Sequence, residues 1–254
     1  MSLLSFVLVT EPDVKERLDR VKPPFRPAGN LKDELKKQED VKEKERVFLE
    51  NAHLSPLTGR VAGYAWFETE TANGFDYAAS ATEEVLIGKI GTLFLTHDIL
   101  TYDGKNFDFP FLASRASLYE STQKYVETFA ALFHSSDTDW SRGLPTDTLT
   151  DVAEWMGLSF WQAPNPFTRK NVLSLKELAG FYQAEPAPVA FMFANALRDF
   201  RKEGVPPDAK ADELGEWVQT ENQKMLHKYM GDYLLNQVRL INDLSIKMGR
   251  DRDE

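Results

Sequence analysis

Apolar and polar positions segregate sharply along this chain. The first apolar run, SFVLVTEPD at residues 5–13, reads as a short strand that closes on polar residues. The two-residue period of a strand puts Phe6, Leu8 and Thr10 on one face and Val7, Val9 and Glu11 on the other. Both faces are apolar over the middle of the run, as expected of a central strand covered on both sides. PPFRP at 23–27 is stiff and extended. The stretch 30–52 is charged and free of Pro and Gly, and predicts a solvated helix capped by Asn30. LSPLTG at 54–59 is a turn. Residues 60–69 and 74–79 predict two strands joined through TANG as a hairpin. A helix is expected over 82–94, a strand over 95–103, and a further helix starting near Pro110.

Beyond that point the pattern predicts a loop at 137–145 and a short strand ending near Asp147. A helix then stops at Gly157, before the irregular loop APNPFTRKN. SLKELAGFY opens with Ser174 and carries Glu177 three residues on, a capping box. Two more helices are expected, over about 188–203 and 209–248. With no internal repeat and no clear linker, residues 1–254 predict one α/β or α+β domain with a charged insert at about 28–53.

Composition narrows the function classes. The chain has 254 residues, enough to bury a sizeable core, and no cysteine, which excludes disulfides and thiolate metal sites and fits a reducing, cytoplasmic setting. No apolar run reaches the length of a membrane span, and the first ten residues lack the features of a signal peptide, so no membrane partner is expected. A net charge of -10 argues against a basic nucleic-acid platform. It leaves room for an acidic site that meets phosphates through metal ions.

The most informative stretch is LTYDGKNFDFPFLASRA. A Gly-containing turn follows an apolar strand, and Asp108 stands among large apolar residues where a helix begins. Helix capping is the plain reading of such a carboxylate; metal ligation at a helix N-terminus is the functional one. TYDGKNFDFPFLASRA resembles the second motif of the DEDD-type 3'-5' exonucleases, of ribonuclease H-like fold. It is closest to predicted exonucleases related to family B polymerase proofreading domains. PTDTLTDVAEWMG with SLKELAGFY, and HKYMGDYLLNQVRLI, resemble later motifs of the same family.

The resemblance implies a mixed sheet flanked by helices. It also implies a site in which four carboxylates hold two Mg²⁺ or Mn²⁺ ions that cleave a single-stranded DNA or RNA 3' end. On this chain Asp108 and Asp232 match two of the ligands. His227 stands five before Asp232, the spacing of the subclass in which a histidine activates the water. Asp103 takes the place of the family's asparagine, and with Phe107 falls at substrate-binding positions. On a continuous helix, however, a step of five separates two side chains by about 140°. His227 and Asp232 would converge only through a bend at Gly231 or a helix start between them. The alternative is a surface histidine beside a Lys228–Asp232 pair.

The first acidic motif departs from the family. Aligning FVLVTEP with it puts Val7 and Val9 on the two ligand positions, and neither side chain binds metal. Glu11 with Asp13 straddles Pro12, and Glu68 with Glu70 reads as the exposed end of a hairpin. His53, His97 and His134 show no ligand spacing; Trp155, Phe160 and Trp161 could stack on bases, and Arg169 and Lys170 could touch phosphate.

Three readings follow. The first is an exonuclease-like protein with a degenerate metal site, weakly active or inactive. The second is an active Mg²⁺/Mn²⁺ exonuclease with non-standard ligands. The third is a non-catalytic scaffold that meets a protein partner through the charged insert.

Overall fold

The computed structural model describes residues 2–77, 82–134, 146–149, 175–184 and 221–248. Five strands, β1 (Leu3–Pro12), β2 (Gly59–Thr69), β3 (Ala72–Tyr77), β4 (Asp98–Thr101) and β5 (Thr146–Thr148), form one sheet in the order β3-β2-β1-β4-β5. β1, β2 and β3 run antiparallel in sequence, while β4 lies parallel to β1 and β5 parallel to β4. Parallel neighbours need a crossover, and α4 (Asp108–Ala116) with α5 (Val126–His134) supplies the one between β4 and β5. α3 (Glu83–Thr96) leads from the β2–β3 hairpin back to the centre of the sheet.

β1 is the central strand that its two apolar faces predict. Leu4 and Phe6 are fully buried in a core made with Leu86, Ile87, Ile90 and Phe94 of α3, Phe109 and Leu112 of α4, and Phe129 of α5. Phe94 meets Phe6, Phe109 and Phe129 edge-on, with centroids at 4.9, 5.9 and 5.5 Å. The opposite face carries Val7 and Val9, and the long helix α7 (Glu221–Lys247) lies across β1 and β2 there. Each fully buried side chain of this size contributes roughly 1.5–3 kcal/mol, so the two faces together hold β1 more firmly than any local preference. The alternation breaks once: Val9 pairs with Gly63 and Thr10 with Val61, a bulge where the strand turns toward Glu11 and its Arg60 partner at 2.5 Å.

Several elements differ from the sequence expectation. α2 (Glu34–Asn51) is capped by Asp33, whose carboxylate accepts from the amides of Leu35 and Lys36; Asn30 lies before it. The hairpin turn is Glu70–Thr71, with TANG mostly inside β3, because Thr69 pairs with Ala72 and the Asn73 side chain donates to the Thr69 and Glu70 carbonyls. β4 is only four residues long, and α3 runs on to Thr96 with the Thr82 hydroxyl as its cap. The short helix α1 (Lys15–Val21) and α5 are not predicted by the pattern. α6 (Leu175–Phe181) stands where SLKELAGFY predicts a helix. The expected loop at 137–145, the helix ending at Gly157 and the helix over 188–203 fall outside the described residues.

Candidate functional site

β1 pairs with β4 only from Leu3 to Ser5, so its second half outruns β4. Val7 and Val9 therefore stand at the level of the loop that leaves β4, Tyr102–Phe107. This loop is built by its own polar atoms. Thr101 Oγ1 accepts from the Gly104 amide at 2.9 Å. The Asp103 carbonyl accepts from the amides of Asn106 and Phe107 at 3.2 and 3.1 Å, and Gly104 O accepts from Phe109 N at 2.9 Å. Asp103 Oδ1 accepts from Asn106 Nδ2 at 2.7 Å.

Gly104 is required by close approach. A Cβ there would run into Thr101 Oγ1 and come within 2.9 Å of Phe109 Cζ. Gly104→Ala is expected to lose about 1–3 kcal/mol in urea unfolding, the cost of overpacking a filled site; an unchanged midpoint would mean the loop has room to give.

Asp108 is the first residue of α4 and does not cap it: the cap position is Phe107, with no side-chain hydrogen bond. The plain capping reading is thereby set aside. Burial, and then the negative charge of Asp103, push the Asp108 carboxyl up to about 7. Phe107 is half-buried and its ring lies tilted against Phe111 at 5.5 Å. Tyr102 is half-buried against the cluster of Leu100, Leu178 and Ala184. Burial first, then Asp103 and Glu177, hold its phenol well above the usual range.

Val7 and Val9 lie in an apolar seam. Val9 packs with Ala65 and Phe67 of β2 and with Leu234 and Val238 of α7; Val7 bridges that cluster and the next, which holds Leu240, Ile241 and Leu244. α7 is one helix through His227, Gly231 and Asp232, so no helix start separates the two candidates. Their side chains lie outside what the structure describes, as do those of Lys228, Asp147 and His134. Among the described residues no group of three or more His, Cys, Asp or Glu is placed to hold a metal ion.

Two close divalent ions would each need several oxygen ligands. The described donor set falls short of that: two of the expected positions are valines in a packed seam, and Asp108 is the one expected carboxylate whose side chain is described. Of the other candidates, His53 is buried, and His97 Nδ1 bonds to Thr96 and the Leu93 carbonyl. Glu70 meets Arg239 at 3.0 Å at the hairpin tip. Trp155, Phe160, Trp161, Arg169 and Lys170 are outside the described residues.

A second cluster of charges was not singled out by the sequence pattern. Arg115, on the last turn of α4, is 2% exposed. It donates to both carboxylate oxygens of Glu83 at 2.8 and 2.6 Å and to the Pro56 carbonyl at 3.1 Å, and lies 2.9 Å from Asp13. Glu83 also accepts from Tyr119 OH and the Val61 amide. The network ties the site helix to the ends of β1 and the start of β2. One signal was present: Arg115 sits on the same helix stripe as Phe111 and Leu112, where an arginine is out of place unless paired.

Residues 50–164 match a family model described as RNase_H superfamily. The fold is ribonuclease H-like. The order β3-β2-β1-β4-β5, with three antiparallel strands followed by two parallel ones and helices on both faces, agrees with that match. The match supports the ribonuclease H-like nuclease superfamily for this region, and with it processing of nucleic acid. It covers the loop 102–107 and α4, but not β1 or α7. No curated protein and no solved structure matches the chain. No described helix is long and apolar enough to cross a membrane.

Proposed function

We propose that this protein is a DEDD-type, 3'-5' exonuclease-like fold whose two-metal centre is degenerate, and that it engages single-stranded 3' ends with little or no hydrolysis. The observation that carries the reading is the seam under α7: Val7 and Val9 pack on Leu234 and Val238 where the resembled family holds carboxylates. The loop 102–107 leads from β4 into α4 with Asp108 as the helix's first residue, which supports reading this stretch as the second motif. Asp103 and Phe107 are the residues that would contact substrate. Asp108 and Asp232 are remnant ligands for Mg²⁺ or Mn²⁺, and His227 the remnant of a water-activating group.

Incubation of 3'-labelled single-stranded DNA and RNA with the protein and Mn²⁺ tests the reading. The expected result is retention of the label at high protein concentration, with binding visible at low salt, where phosphate contacts are strongest. Mn²⁺-dependent shortening that Asp108→Ala abolishes would establish an active enzyme with non-standard ligands and overturn the degenerate reading. Absence of any oligonucleotide binding would overturn the substrate half of it.

The register of the first motif has its own test. Val7→Asp with Val9→Glu buries two carboxylates in an apolar seam, an expected loss of several kcal/mol. If these are the ligand positions, Mn²⁺ restores much of the melting temperature of the double variant and leaves wild type unmoved.

A further inference from the structure

The two ends of α4 are held by different forces. Phe109, Phe111, Leu112 and Ala116 bury its apolar face among side chains of the sheet, α3 and α5. Contacts of that kind are non-directional. They keep the helix in the core and say less about its level along its own axis. Arg115, on the last turn, supplies direction. Its guanidinium grips both Glu83 oxygens at 2.8 and 2.6 Å, and a bidentate pair fixes angle as well as distance.

The partners of Arg115 stand on separate elements. Glu83 opens α3 and also accepts from the Val61 amide of β2 and from Tyr119 OH. Asp13, 2.9 Å from the guanidinium, follows β1 and accepts from the Val14 amide at 2.8 Å. The Pro56 carbonyl, which accepts at 3.1 Å, belongs to the turn that enters β2. One buried cation therefore ties the end of α4 to β1, β2 and α3 together.

The other end of α4 shapes the loop 102–107. Phe109 lies six residues before Arg115, about 9 Å along the helix. Its amide donates to the Gly104 carbonyl at 2.9 Å, and its ring tip stands over Gly104, where an added Cβ would come within 2.9 Å of Cζ. On the far side Thr101 Oγ1 of β4 accepts from the Gly104 amide. The loop is thus set between β4 and α4. A shift of α4 toward it closes on Gly104, and a shift away breaks the Phe109–Gly104 bond.

We propose that Arg115 is a positioning residue for the candidate site. By fixing α4 against Glu83, Asp13 and Pro56 it holds the loop 102–107, and with it Asp103 and Phe107, in the arrangement that would meet a single-stranded 3' end. The substrate in that statement rests on the function proposed above; the placement of the loop does not.

Hydrogen exchange of the full chain tests this, read at the amides of Gly104, Asn106, Phe107 and Phe109, all bonded within the loop and its junction with α4. Two variants separate placement from stability. Arg115→Met removes the fork and leaves two carboxylates uncompensated. Arg115→Met with Glu83→Gln and Asp13→Asn removes the fork and those charges as well. In both, the four amides should exchange about fivefold faster than in wild type, or more, a rise beyond any at the β2–β3 ladder. A merely structural pair predicts the opposite for the triple variant, where exchange at the loop would return to the wild-type rate as the charges are removed. That return, or a rise in either variant no larger at the loop than at the β2–β3 ladder, would overturn the proposal. No nucleic acid enters the measurement, so a failure to bind oligonucleotides would fell the proposed function and leave this result standing.

Discussion

Arg115→Met should cost this fold about 3–5 kcal/mol, the range for breaking a buried ion pair from one side. The guanidinium is enclosed, and the side chains of the two carboxylates it faces are only 6% exposed at Glu83 and 3% at Asp13. Removing the cation leaves both carboxylates in a low-dielectric pocket with, among the described residues, Arg17 as the remaining countercharge, itself part-exposed and 3.4 Å from Asp13. The remaining donors, Tyr119 OH, the Val61 and Val14 amides, cannot offset two negative charges.

Urea unfolding of wild type and variant measures the effect. Arg115→Lys keeps the charge but not the fork that grips Glu83 through two bonds, and should fall between them. A triple variant, Arg115→Met with Glu83→Gln and Asp13→Asn, removes the uncompensated charges and should recover much of the loss. A loss below about 1 kcal/mol for Arg115→Met would place the network among surface pairs and sink the claim that it holds α4 to β1.

Asp108→Asn should stabilise the protein at pH 8 and do nothing at pH 3. The sign follows from proton binding. The folded carboxyl titrates at about 7 against an ordinary 3.8. Between those values the folded state holds more protons than the unfolded one, so stability falls as pH rises. Below the ordinary value both states are protonated and no difference remains; above about 7 the full penalty of a buried charge is present. Each pH unit between them corresponds to about 1.4 kcal/mol, and the solvent contact of this half-buried residue cuts the total to about 2 kcal/mol.

Unfolding curves for wild type and Asp108→Asn at pH 4, 6 and 8 should therefore diverge with pH, wild type losing ground. Parallel curves would mean that water reaches the carboxylate freely. Mn²⁺ adds a second readout at pH 8. A competent metal site would stabilise wild type over the variant and close the gap; the degenerate site leaves the gap as it is.

Much of this architecture was legible because it rests on local signals. The two apolar faces of SFVLVTEPD require a strand covered on both sides, and β1 is the centre of the sheet. The helix start at residue 82, the turn at LSPLTG and the glycine of TYDGKNFD all rest on signals acting over a few residues, and each stands near its predicted place. The errors were local competitions decided by distant partners. TANG has hairpin chemistry, but pairing Tyr64 with Asp76 and Phe67 with Asn73 fixes a register that puts the turn at Glu70–Thr71. Asn30 and Asp33 are both good caps, and contacts of α2 with Phe25 and Ala28 choose the later one. Asp108 could have been a cap; it is instead the first residue of α4, half-buried, with its carboxyl raised by burial and by Asp103.

The sequence by itself determined a central strand with two apolar faces, an acidic chain, a glycine-containing turn ahead of Asp108, and valines at positions 7 and 9. All of these depend on residue type and near-neighbour spacing. Only the tertiary structure decided what the valines do. An apolar pair on a strand is compatible with a lost ligand set or a wrong register, and packing of Val7 and Val9 against Leu234 and Val238 of a helix more than 200 residues away gives them a definite role as core. The same holds for Arg115, Glu83 and Asp13, three unremarkable charges until long-range folding buries them together. A buried charge requires its countercharge within contact distance, and no sequence spacing supplies that distance.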